Sequence, residues 1–78
     1  MEDFLKSKIE EIAFSEVERS EKLWNTGILD SITIVELAVE IEEEYGIKIA
    51  FDEIIEDNFM TIDQLIVFIE KKQNERVG

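Results

Sequence analysis

The chain has no cysteine and no histidine. Without cysteine there is no disulfide framework and no thiolate site, and nothing points to a redox compartment. Without histidine the chain lacks the usual general base at neutral pH, every His-based triad and the commonest metal ligand. Its three glycines, Gly27, Gly46 and Gly78, stand apart, so no Gly-rich loop can cradle a phosphate. No run of alternating Asp and Asn with a central Gly fits a calcium loop. These absences argue against an enzyme with its own catalytic residues and against a dedicated metal site. Long apolar runs are also missing. The amino terminus, MEDFLKSKIEEIAF, mixes both charges and resembles neither a signal peptide nor a membrane span, so a cytoplasmic location is the simplest expectation.

Bases are scarce as well. The net charge is −12, and it is unevenly spread: from Ser31 to Glu70, eleven acids face the single base Lys48. Such a field repels nucleic acid and anionic lipid, while it attracts basic protein surfaces and speeds their encounter. The plainer reading is that the acids only keep the domain soluble. A chain of 78 residues, 45% of them apolar, supports one domain spanning 1–78 with a modest core.

Apolar spacing predicts four helical segments. The first runs from about Asp3 to Phe14, with Leu5, Ile9, Ile12 and Ala13 on one face. A long polar connection, SEVERSEKLWNTG, follows. Val17, Leu23, Trp24 and Ile28 are its expected anchors, Trp24 more as a loop anchor than as a ligand platform. The second helix begins at Asp30 or Ser31, with Asp30 as N-cap, and ends at Tyr45 before a left-handed Gly46. IKIAF alternates like a strand but has no partner strand, so it reads as a connection into a short third helix around Phe51–Asp57. The fourth helix starts at Thr61, which forms a capping box with Gln64 and is followed by the face Ile62, Leu65, Ile66 and Ile69. Met60 and Leu65 can form its hydrophobic staple. The expected fold is all-α, a small four-helix bundle with a short third helix and a long loop between helices one and two.

The second helix carries more apolar residues than one core face can use. At about 100° per residue, Ile34, Leu37, Ala38, Ile41 and Tyr45 form one stripe, and Ile32, Val35 and Val39 form a second. Glu36, Glu42 and Glu43 flank that second stripe. An apolar strip edged with carboxylates suits partner docking, with burial for affinity and charge for steering. Alternatively, Ile32 and Val35 pack against the long loop. Ser31 stands at the positive end of the same helix, where an esterified phosphate would meet free backbone N–H groups, although serine in this position is most often ordinary helix-start chemistry.

With these residues in view, LDSITIVELAVEIEEEYGIKI, FDEI and MTIDQLIVFIEK resemble the acyl carrier and peptidyl carrier protein family across nearly the whole chain. The resemblance implies that Ser31, flanked by Asp30, carries a covalent phosphopantetheine arm transferred from coenzyme A by a magnesium-dependent phosphopantetheinyl transferase. It also implies that the carrier itself catalyses nothing. Its further partners would be an acyl- or aminoacyl-loading ligase or adenylation enzyme and a downstream acyltransferase or synthase. Docking positions of the family fall on Ile32, Val35, Glu36, Val39, Glu42 and Glu43. A monomer is expected. Fatty-acid carriers usually have an acid two residues after the serine, where this chain has Thr33; LWNTGILDS is closer to freestanding carriers such as those of D-alanyl transfer or secondary metabolism. The competing expectation is an unmodified acidic helical module that binds a basic partner through its second helix.

Overall fold

A computed structural model describes residues 1–24 and 30–77, the last two by backbone alone. Among the described residues, four α-helices and one 3-10 turn make up the architecture: α1 (Glu2–Ala13), α2 (Ser31–Tyr45), the 3-10 turn (Phe51–Glu53), α3 (Glu56–Phe59) and α4 (Ile62–Val77). The all-helical bundle with a short third helix is therefore the observed fold. The anchor expected at Ile28 lies outside the described residues.

The amphipathic pattern decides how the helices pack. Leu5 and Ile9 from α1, Ile34, Leu37, Ala38 and Ile41 from α2, and Ile62, Leu65, Phe68 and Ile69 from α4 share one core with Phe59 of α3. Phe4 meets Tyr45 edge-on at a centroid distance of 5.5 Å, and Lys8 pairs with Glu40 at 3.4 Å. Residues early in α1 thus face residues late in α2, so these two helices run antiparallel. Tyr45 is partly buried against the core, as its place on the core stripe requires.

The long connection after α1 is held by its few apolar residues. Val17 and Leu23 are buried, Trp24 packs against the core, and the Leu23 amide donates to the Met60 carbonyl at 2.7 Å. Arg19 bridges Glu2 at 3.2 Å and Asp63 at 2.7 Å, which ties this connection to the heads of both α1 and α4. At the next junction, Gly46 closes α2 in the left-handed region (φ 64°), and its N–H bonds the Glu42 carbonyl. Beyond it, Ile47 is buried, Lys48 exposed and Ile49 partly buried, so the alternation reflects an extended connection packed on the core. The Glu42 carboxylate accepts the Ile49 amide at 2.7 Å and secures that connection.

Two elements depart from the sequence expectation. The third helix does not occupy Phe51–Asp57; that span holds a 3-10 turn and only the first residues of α3. Ile54 (ψ 77°) and Ile55 (φ −129°, ψ 162°) leave the helical region and separate the two. Polar contacts fix this broken geometry, because Lys72 of α4 clamps Glu53 at 2.9 Å and the Asn58 side chain donates to the Glu53 carbonyl at 2.8 Å. The other departure is Phe14, expected as the last residue of α1. It lies just past the helix in the left-handed region (φ 58°, ψ 33°), with its N–H bonded to the Glu10 carbonyl at 2.8 Å. For a residue with a Cβ this conformation costs about 1–2 kcal/mol, and glycine is the usual occupant.

Candidate functional site at the head of the second helix

The site is built from the first turns of α2. Asp30 is extended and its Oδ1 accepts the Ile32 and Thr33 amides at 3.0 and 2.9 Å. Thr33 completes the reciprocal half of the box, since its Oγ1 accepts the Asp30 amide at 2.8 Å and donates to Asp30 Oδ1 at 3.0 Å. Bonds from the Thr33 amide, then from its hydroxyl, hold the Asp30 carboxyl below its ordinary value. The spacing Asp-x-x-Thr was the available signal for Thr33, whose hydroxyl takes the place that Glu or Gln occupies in the common box.

This arrangement corrects one expectation. The Ile32 and Thr33 amides are not free to hold a phosphate at Ser31, because Asp30 already occupies them. The remaining attraction for an anion is the positive helix end itself, opposed by the neighbouring carboxylate.

Ser31 occupies the first helical position and is exposed, and its hydroxyl makes no hydrogen bond to the described residues. Beside it opens an apolar cleft of about 340 Å³ lined by Trp24, Asp30, Ser31, Ile34, Val35, Phe51 and Ile54. Trp24 therefore does two jobs, anchoring the loop and walling the cleft. Phe51 and Ile54 were not singled out from sequence; Phe51 is almost wholly exposed, and only the 3-10 geometry brings it beside α2.

Below Ser31, the second stripe of α2 faces outward. Ile32, Val35 and Val39 are 69%, 42% and 44% exposed, whereas Ile34, Leu37, Ala38 and Ile41 are buried. Glu36 and Glu43 are exposed; Glu42 is half-buried and committed to the Ile49 amide. A second, broader groove of about 510 Å³ runs between α2 and the end of α1, lined by Ile12, Val35 and Val39, with the exposed Phe14 beside them and Glu11, Glu36 and Glu40 around them. Among the described residues no group of three acidic side chains is placed to hold a metal ion, and no helix is long and apolar enough to cross a membrane.

An exposed hydroxyl that no described residue bonds, beside an apolar cleft, fits a long esterified arm, and the cleft can take methylene groups. Comparison with known proteins points to the same chemistry. The family described as "Phosphopantetheine attachment site" matches residues 4–69. D-alanyl carrier proteins of Streptococcus pyogenes, including those of serotypes M5 (strain Manfredo), M49 (strain NZ131) and M1, are 35% identical over 54 residues, which cover 69% of this chain and 68% of each relative. No solved structure matches. The chain belongs to the phosphopantetheine-bearing carrier proteins, whose prosthetic group is covalently attached.

Proposed function

We propose that Ser31 is the attachment residue and that the protein is a freestanding carrier of acyl or aminoacyl groups. The observation that carries this reading is the Ser31 hydroxyl, exposed and free of hydrogen bonds to the described residues at the head of an acidic helix within the matched span. In the loading step, Ser31 Oγ forms a new bond to the phosphorus of coenzyme A that bears the pantetheine. Its proton passes to a base of the transferase, and adenosine bisphosphate leaves. Asp30 and Thr33 hold the first turn, in which Ser31 is exposed. The attached arm supplies the thiol that the chain itself lacks and holds the cargo as a thioester.

Ile32, Val35 and Val39, with Glu36 and Glu43, form the surface on which the transferase, a loading ligase and a downstream acyltransferase or synthase dock. Glu42 has a structural task first, bracing the connection after α2, and adds only its charge to the docking field. The similarity to D-alanyl carrier proteins favours an aminoacyl cargo, with D-alanine the first to test, over a fatty acyl chain. Thr33, standing where fatty-acid carriers usually have an acid, agrees with this preference. The protein acts in the cytoplasm as a monomer and lacks catalytic residues of its own.

The test is incubation with coenzyme A, magnesium and a phosphopantetheinyl transferase, read by intact mass. The wild type gains one phosphopantetheinyl group and Ser31→Ala gains none, with helical circular dichroism unchanged. A wild type that stays unmodified with several transferases, or a Ser31→Ala variant that is still modified, overturns the assignment.

A further inference from the structure

The stripe on α2 does not end at α2. Val35 and Val39 also line the groove that reaches across to Ile12 and Phe14 at the end of α1. Phe14 is unusual on two counts at once. It is 90% exposed, and it occupies a left-handed backbone conformation that glycine would adopt without strain. Neither helix closure nor core packing explains a phenylalanine there: the closing bond uses only its backbone N–H, and its ring is in solvent. A strained, exposed aromatic beside an apolar groove is a feature that a binding partner would explain.

Interface size fits the same extension. A protein partner of standard size covers about 800 Å² of this surface, a patch of roughly 16 Å radius. Val39 lies eight residues beyond Ser31, or about 12 Å along the helix axis, so a partner centred on position 31 reaches the groove. The groove's charge selects the partner's chemistry. Three carboxylates line it, and Lys8, 3.4 Å from both Glu11 and Glu40, offsets only part of their charge.

We infer that Phe14 is part of the docking surface for the enzyme that acts on position 31, and that this enzyme places an apolar side chain flanked by lysine or arginine in the groove between α1 and α2. This rests on the attachment of the arm at Ser31 and on docking along α2. A second copy of the chain is a poorer occupant, because two surfaces of like charge would meet.

The experiment measures steady-state loading of the apo protein by the phosphopantetheinyl transferase of its own host, comparing wild type with Phe14→Gly, Phe14→Leu and Val35→Asp. Thermal melts monitor the fold of each. Phe14→Gly should melt no lower than wild type, because glycine relieves the backbone, yet raise KM about tenfold with kcat within twofold. Phe14→Leu should recover most of the loss, and added salt should raise the wild-type KM. An unchanged KM for Phe14→Gly while Val35→Asp raises it would confine docking to α2 and overturn the inference. Unchanged KM in both variants would overturn docking along α2 as well. Wild-type dimers in sedimentation that Phe14→Gly abolishes would make a second copy the occupant and equally overturn it.

Discussion

Asp30, Ser31 and Thr33 divide the work at the head of α2. Asp30 and Thr33 satisfy one another and the first turn, while the Ser31 hydroxyl makes no hydrogen bond to the described residues. Asp30→Ala removes the acceptor for two amides and should lower the melting temperature by about 4–8 °C, read by circular dichroism. The pH dependence follows from the direction of the shift. The folded-state carboxyl titrates below its ordinary 3.8, chiefly because the Thr33 amide bonds the ionised form. Its contribution is therefore complete above pH 3.8 and is lost as pH falls through the lower folded value. Glu53, bonded first by the Ala50 amide and then by Lys72, and Glu2, paired with Lys6, behave the same way from their ordinary 4.5. Acid melts should show stability falling below about pH 4, less steeply in Asp30→Asn, where the cap remains but cannot titrate.

At the scale of elements, α2 is a helix with two apolar faces and only one core. Its 3.6-residue periodicity was enough to separate Ile34, Leu37, Ala38 and Ile41 from Ile32, Val35 and Val39, and the structure buries the first set and exposes the second. Val35→Asp should accordingly keep its melting temperature within a few degrees of wild type while slowing partner enzymes. A collapse of the fold instead would show that this face belongs to the core. Helix ends marked by side-chain chemistry were equally legible: Asp30 caps α2, Gly46 closes it, and Thr61 Oγ1 accepts the Gln64 amide at 3.1 Å.

What escaped sequence reading depends on contacts between distant residues. The break at Ile54 and Ile55 is maintained by Lys72, nineteen residues beyond Glu53. Glu42 reads as one more surface acid until the Ile49 amide is seen against it. Glu42→Gln should weaken that bond, and faster hydrogen exchange at the Ile49 amide with little change elsewhere would show it. Phe14 escaped because nothing local marks a phenylalanine as a left-handed helix cap.

Over the whole molecule, a tight apolar core holds together a shell of like charges. Leu5, Ile9, Leu37, Ile41, Ile62, Leu65 and Ile69 are all fully buried, so Ile41→Ala should cost about 2–5 kcal/mol in chemical denaturation. The ion pairs Lys6–Glu2, Arg19–Glu2 and Arg19–Asp63 are solvent-accessible and each contributes little. With a net charge of −12, self-repulsion opposes folding, and magnesium or added salt should raise the melting temperature by screening it. On the proposed assignment, the same field that weakens the fold draws basic partners to α2, at whose head Ser31 is exposed. Fragmentation mass spectrometry of the protein purified from its native host tests that assignment most directly. The peptide containing Ser31 should carry phosphopantetheine, with or without an acyl group released by neutral hydroxylamine; an arm found on any other residue, or none at all, would contradict the account.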